Sequence, residues 1–162
     1  MELWLTGPIE GVPPLLMPAA HTFLQVRQDV PELLAGLSVE QLWHKAGQSA
    51  AIGFHAIHIA AATDRLMTYA RGEQLSDTQI ADMRLETTMT GVDCSEIVAR
   101  VQRAMDAAMG QVRATTFDDL LVVRGVGKKQ LPSNTLGLIT HAAEHALRHE
   151  GQIATLRKVI AA

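Results

Sequence analysis

The chain has 162 residues, of which 48% are hydrophobic and 19% charged, so its length suits one domain and its composition suits a packed core rather than disorder. A formal net charge of −3, with 17 acidic against 14 basic side chains, disfavours a protein that binds nucleic acid through its phosphates. No signal segment and no run of ~18 apolar residues is present, which predicts a cytoplasmic protein that does not enter a membrane.

Apolar residues recur with a helical period after residue 13, which predicts an all-α protein. The first helix is predicted to follow Pro13 and Pro14 and to end at Gly36. Ser38 and Gln41 have the spacing of a capping box, which indicates a short helix through Trp43.

A second long helix is predicted from Ser49 to about Arg71, because this Ala-rich stretch is closed by Gly72. The polar segment that follows is predicted to hold a broken helix at about residues 78–86. Asp93 and Glu96 are then expected to cap a third long helix that ends near Arg113.

Residues 115–132 contain two glycines and a final proline, which predicts a loop with a short extended segment at residues 120–123. Pro132 and Ser133 are expected to begin a fourth long helix that runs through Ala161. Four long helices without a dividing linker predict a single domain, residues 1–162, built as a four-helix bundle.

Seven histidines stand against three Phe, two Trp and one Tyr. Five of them fall in two predicted helices: His55 and His58 in the second, and His141, His145 and His149 in the fourth. A step of four residues turns about 400° and rises about 6 Å, so neighbours in the second group share one helix face. Two of these imidazoles can bind one metal ion, and a ligand such as His58 can complete the site from another helix.

Other chemistries find less support. The single Cys94 cannot build a thiolate cluster, and neither an His-Glu-x-x-His motif nor a Glu-x-x-His unit occurs. Residues 122–129 lack the glycine and the hydroxyl residue of a phosphate-binding loop. His21 and His44 are interpreted as ordinary core or surface residues.

The segment from His58 to Leu66, and the segment from His141 to Ile153 with its His-x-x-x-His-x-Gly-Gln pattern, resemble the DinB/YfiT-like superfamily of bacterial four-helix-bundle metalloproteins. The resemblance covers most of the chain in the same order and spacing. It implies an up-down-down-up bundle and a metal ion held by His58, His145 and His149.

His55 and His141 each precede one of these residues by one turn, so either could replace a ligand or support one, and His55 is the second choice for the third ligand. Gln152 and Glu144 are candidate second-shell partners that would orient the imidazoles. Asp64 and Arg65 are interpreted as an ordinary exposed or interhelical ion pair.

Three imidazoles leave coordination positions open, as in catalytic sites, and suit Zn²⁺ or Ni²⁺, with Mn²⁺ or Fe²⁺ as alternatives. Hydrolysis is one possible reaction, and the resemblance adds transfer of a low-molecular-weight thiol to a small electrophile. The alternatives are a metal-binding or stress-response protein without turnover and a structural dimer with a vestigial site. Spare apolar helix faces, as in relatives, predict a homodimer.

Overall fold

The computed structural model describes residues 2–160. Its elements in chain order are α1 (Met17–Leu34), α2 (Val39–Trp43), α3 (Ile52–Ala70), α4 (Asp77–Leu85), α5 (Cys94–Ala114), β1 (Val123–Val126), β2 (Leu131–Asn134) and α6 (Thr135–Ile160). The four long helices α1, α3, α5 and α6 form the predicted bundle, and the two short strands form a hairpin before α6. The helices described here are all too short or too polar to span a membrane.

Contacts at both ends of the helices establish their directions. The Thr135 hydroxyl donates to the Ala70 carbonyl at 3.3 Å, and His149 meets His55, so α6 runs antiparallel to α3. In contrast, Arg157 near the end of α6 donates to the Glu32 carbonyl near the end of α1, so these two helices are parallel.

Helix α5 lies against both α1 and α3. The Gln111 amide donates to the Met67 carbonyl at 2.9 Å, while Ala104 and Ala60 line one cavity between the same two helices. Helices α3 and α5 are therefore parallel, and the bundle has the expected up-down-down-up arrangement.

Parallel packing of α3 and α5 requires the chain to return along the bundle, and residues 71–93 make this crossover. Within it, Ser76 and Gln79 form a capping box that begins α4. The Gln79 side chain also donates to Asp64 at 2.6 Å, which fixes α4 alongside α3. The crossover thereby carries the residues after α4 to the middle of α3.

The core lies between the four long helices and contains large side chains such as Phe23, Leu34, Ile59, Ile97, Met105, Ile139 and Ile153, each at most 1% exposed. Helices α3 and α6 also bury Ala56, Ala142, Ala143 and Ala146. Short side chains at such positions allow two helices to approach closely. This packing gives the half-buried histidines of the two helices a rigid support.

Most predicted boundaries agree with the structure. The backbone N–H of Gln41 donates to the Ser38 hydroxyl at 3.1 Å, as the predicted capping box requires. Asp93 caps α5 by accepting from the backbone N–H of Glu96 at 2.9 Å. Gly72, just after α3, has a φ of +83°, a left-handed conformation in which glycine avoids the steric cost of a side chain.

The predicted start of the fourth long helix at Pro132 and Ser133 is wrong. These residues lie in β2, where Pro132 pairs with Gly125 and Ser133 with Arg124. Helix α6 begins at Thr135, and the Asn134 side chain caps it by accepting from the backbone N–H of Gly137 at 2.7 Å. A proline fits an edge strand as well as a first helical turn, so the sequence signal was ambiguous.

The other predicted bounds differ by small shifts. The extended segment at residues 120–123 overlaps β1 only at Val123, and the first helix opens with a 3₁₀ turn, Pro14–Leu16. The predicted helix end at Ala161 lies outside the described residues.

Two helical glycines should respond oppositely to alanine. A Cβ on Gly110 of α5 would have no atom of another part of residues 2–160 within 4 Å, so Gly110→Ala should raise the free energy of unfolding by about 0.5–1 kcal/mol through helix propensity. A Cβ on Gly53 of α3 would lie 3.0 Å from the Trp43 ring, whose indole N–H is held by the Val92 carbonyl at 2.9 Å. Gly53→Ala should therefore lower the free energy of unfolding by about 1–2 kcal/mol.

Urea denaturation of the two variants and the wild type measures this difference. Equal stabilisation by both substitutions would show that the Trp43 ring moves freely and does not constrain α3.

Candidate metal centre

His58 of α3 and His145 and His149 of α6 converge in the structure. Each offers one nitrogen, and these three atoms lie within 4.8 Å of one another. The ring centroids of His58 lie 5.1 Å from His145 and 4.6 Å from His149, and the two rings of α6 are 4.6 Å apart. The antiparallel register of α3 and α6 produces this meeting, because it sets residue 58 opposite the turn that joins residues 145 and 149.

Glu86, which directly follows α4, orients His58. Its carboxylate oxygen lies 2.6 Å from His58 Nδ1, and its other oxygen accepts from the Arg65 guanidinium. The side chain is only 5% exposed. A carboxylate accepts here from the protonated Nδ1, so the lone pair of His58 is left on Nε2.

The charge of Glu86 follows from its partners. Burial raises the pKa of its carboxyl, but the hydrogen bonds from His58 and Arg65 outweigh that effect, and the pKa lies below its ordinary value. Glu86 is therefore ionised near neutral pH and can hold the His58 tautomer that is able to bind a metal.

His55 contacts Nδ1 of His149, as Glu86 contacts Nδ1 of His58. The two Nδ1 atoms are 2.8 Å apart, so one of them must carry the shared proton. If His149 donates, its Nε2 is free to bind a metal, and His55 accepts. His55 is 8% exposed and lies beside a ligand candidate, so it occupies the supporting position that its spacing allowed.

Two other rings lie next to the three histidines, those of Phe54 and His141. The Phe54 ring stacks on His58 with the planes 12° apart and the centroids 5.4 Å apart. His141 lies one turn before His145, but its imidazole is half exposed and pairs with Glu144 at 3.1 Å. His141 thus faces solvent rather than the three converging nitrogens.

The cluster disfavours protonated imidazoles. Burial first, and then the neighbouring histidines, lower the pKa of His145, and the same causes lower that of His149 to about 4. Burial and His58 also lower the pKa of His55. At neutral pH these rings are neutral, which is the form that binds metals.

The donor set fits a divalent transition metal. Two imidazole nitrogens bound at about 2.1 Å can be at most about 4.2 Å apart, so the observed group needs only small side-chain adjustments. Glu86 engages Nδ1 of His58, which leaves Nε2 of that ring available, and Nε2 of His149 is likewise available when its Nδ1 donates to His55. Imidazole suits several metals, so the donor chemistry is compatible with Zn²⁺, Ni²⁺, Fe²⁺ and Mn²⁺.

The expected second-shell residues differ from those observed. Glu144 is exposed and binds His141 and Arg148 instead of His145, and Gln152 is exposed. Within residues 2–160 neither makes a hydrogen bond to a ligand candidate. For Glu144 the reason is helix geometry, since the residue before His145 lies about 100° around the axis. Gln152, three residues after His149, lies about 60° around the axis and is exposed.

Arg65 does form an interhelical ion pair, but the pair is buried and involves Glu86, while Asp64 accepts from Gln79. Sequence reasoning missed Glu86, which lay at the end of the helix predicted at 78–86. His21 is buried and His44 is exposed, and neither belongs to the three-histidine group.

Replacing Glu86 should weaken metal binding. Glu86→Gln keeps the shape but removes the charge that selects the His58 tautomer, so we expect about 10- to 100-fold weaker Zn²⁺ binding. Competition with a chromophoric chelator measures the affinity, and ¹⁵N NMR of the imidazoles reports the tautomer. Asp82→Asn removes an exposed acid of α4, the helix that ends just before Glu86, and is the matched control; equal affinities in the two variants would contradict the role of Glu86.

The metal-free protein should lose stability on acidification because of His149. The pKa of His149 is about 4 in the folded state against 6.5 ordinarily, so the unfolded chain binds more protons between these values and the free energy of unfolding falls with pH. From pH 7 to 5 the wild type should lose about 1 kcal/mol more than His149→Gln, after allowance for partial exposure. Urea denaturation in EDTA at a series of pH values measures the free energy of unfolding of both proteins.

The titration of Glu150 changes the free energy of unfolding in the opposite direction to that of His149, and the comparison of the wild type with His149→Gln cancels it. Burial, together with the charge and hydrogen bond of Asp29, raises the pKa of Glu150 from 4.5 to about 7, so its titration favours the folded state as the pH falls. Both proteins retain Glu150, and its effect cancels in the difference. Parallel pH profiles for the two proteins would refute the assignment to His149.

Comparisons with known proteins identify the family and the fold. The family model of the DinB superfamily matches residues 22–153. A crystal structure of a protein from Exiguobacterium sibiricum 255-15, assigned to the DinB family, is similar with a TM-score of 0.69 and 12% identity over 90% of each chain.

A DinB-like protein from Bacillus cereus ATCC 10987 is similar with a TM-score of 0.63 and 18% identity over 84% of this chain and 89% of that one. At these identities the two structures establish a shared fold. A search of functionally curated proteins finds no match. The family model spans all four long helices except the start of α1 and the end of α6, and the chain belongs to the DinB superfamily.

Proposed function

We propose that the protein binds one divalent transition-metal ion through His58, His145 and His149 and uses it in a reaction on a small molecule. The observation that carries this proposal is the meeting of three half-buried imidazole nitrogens within 4.8 Å, on two rigid helices. Membership of the superfamily, for which the sequence resemblance implies a metal at these positions, supports the same assignment.

The protein's own residues contribute orientation and charge. Glu86 and His55 hold the Nδ1 atoms of His58 and His149, which leaves Nε2 as the ligand atom of His58, and also of His149 when His149 donates to His55. The lowered pKa values of His145 and His149 keep these ligands neutral at physiological pH. Phe54 covers one face of His58 and restricts the motion of this ring.

When bound, a divalent ion on three imidazoles supplies Lewis acidity that lowers the pKa of a coordinated water or thiol. The two candidate reactions are therefore transfer of a low-molecular-weight thiol to an electrophile and hydrolysis of a small ester or amide. Thiol transfer is the first choice because of the resemblance to thiol-dependent S-transferases of this superfamily. A metal-binding protein without turnover is the alternative.

Metal content tests the ligand set. Protein purified without a histidine tag and reconstituted with Zn²⁺ or Ni²⁺ should hold about one equivalent by elemental analysis. His145→Ala should lose it, because two imidazoles rarely retain a divalent ion. His141→Ala, which removes an exposed imidazole one turn earlier on α6, is the matched control and should keep it.

Retention of a full equivalent by His145→Ala would refute the ligand set, and its loss in both variants would show that the helix rather than the ligand was affected. Circular dichroism of both variants verifies that α6 is intact.

Turnover is tested with the loaded protein. Cysteine, coenzyme A and glutathione are offered with 1-chloro-2,4-dinitrobenzene, and p-nitrophenyl acetate reports hydrolysis. We expect metal-dependent turnover of one of these pairs that is lost in His145→Ala and kept in His141→Ala. Stoichiometric metal without turnover above the buffer rate would favour the binding-protein alternative.

A further inference from the structure

A second cavity lies between α1 and α6, away from the three-histidine group. Its volume is about 560 Å³. The lining residues that matter here are Trp4, Pro18, His21, Asp29, Leu147 and Glu150. Although Glu150 follows His149 in the chain, its side chain leaves the helix about 100° away, so the cavity and the histidine cluster lie on different sides of α6.

Two buried polar atoms of this cavity have no hydrogen-bond partner among residues 2–160. They are Nδ1 of His21 and Oε2 of Glu150, in residues that are 7% and 9% exposed. Burying such an atom without a partner costs about 1–3 kcal/mol, and native structures contain few of them. A ligand that hydrogen-bonds to both residues would remove this cost.

The charges at the cavity are negative. The carboxyl group of Asp29 lies within hydrogen-bonding reach of Glu150 and is held in place by the Gln25 amide at 2.5 Å. No lysine or arginine of residues 2–160 lines the cavity. Two carboxyl groups so close together attract a cationic ligand, although burial and the neighbouring Asp29 raise the pKa of Glu150 to about 7 and leave it only partly ionised at neutral pH.

The adjacent cavity continues the acidic lining and also contains one arginine. It has a volume of about 440 Å³ and shares Asp29 and Glu150, and it adds Glu32. Arg157 also lines it, but its guanidinium donates to the backbone carbonyls of Glu32 and Ala35. This arginine is therefore engaged with the backbone.

The rim of the first cavity is apolar and exposed. Trp4 is 63% exposed and Leu147 is 45% exposed, and Pro18 lies beside them. An indole face attracts cations as well as apolar groups. The cavity thus combines an acidic floor with an aromatic and aliphatic rim.

We propose that this cavity binds a small organic cation, with its ammonium group on Glu150, Asp29 and His21 and its apolar body against Trp4 and Leu147. A metal ion fits this cavity less well. Within residues 2–160, three His, Cys, Asp or Glu side chains place ligand atoms within 4.8 Å of one another only at His58, His145 and His149, outside this cavity. An ammonium group on a flexible chain can donate to acceptors that do not converge on one point. The site is independent of the proposed metal function.

Binding of 2-phenylethylammonium to the full-length protein tests the proposal. Isothermal titration gives the affinity, and ¹⁵N–¹H amide shifts locate the ligand. We expect saturable binding, with the largest shifts in residues 18–29 and 147–154. 2-Phenylethanol, which replaces the ammonium by a hydroxyl, should bind at least about tenfold more weakly because it loses the charge-assisted hydrogen bonds.

Matched variants separate the site from general charge effects. Glu150→Gln and Asp29→Asn should each weaken binding about tenfold, and Trp4→Leu should weaken it by a smaller factor. Glu10→Gln removes one exposed acid outside the cavity and should leave the affinity unchanged. The two acidic variants are independent, so misfolding of one leaves the other decisive.

Absence of saturable binding at 20 mM, equal affinity for the neutral analogue, or shifts centred on the histidine cluster would each overturn the proposal.

Discussion

The packing of α3 against α6 is the contact on which the rest of this structure depends. Antiparallel register sets residues 55 and 58 opposite residues 149 and 145, and buried alanines on both helices allow close approach. A shift by one residue would rotate each histidine by about 100° and separate the nitrogens. The geometry of the site is therefore a property of the helix interface rather than of any one loop.

The up-down-down-up topology adds the second requirement. Because α3 and α5 are parallel, the chain must recross the bundle, and the crossover brings Glu86 to the far side of His58. A bundle in which every connection was short would offer no such third segment. The same segment buries Glu86 with Arg65, so the negative charge that orients the imidazole is itself neutralised.

Local signals and helical spacing predicted much of this molecule. The capping box at Ser38, the glycine after α3 and the i, i+4 histidines depend on neighbours a few residues apart, and each lies where the sequence indicated. Glu86 and its bond to His58 depend on a crossover path that no local pattern encodes. Glu144 was chosen by adjacency to His145 and Gln152 by its three-residue spacing from His149, whereas hydrogen bonding on a helix depends on the direction of the side chain.

The crossover has a further consequence for folding. Residues that orient or form the cluster come from the second, third and last quarters of the chain, so a contiguous fragment must include residues 55–149 to contain them all. Contacts between distant segments form late, because their loop-closure entropy must be offset first. The cluster is therefore complete only when the bundle itself has closed, and a nascent chain cannot assemble it until α6 has been synthesised.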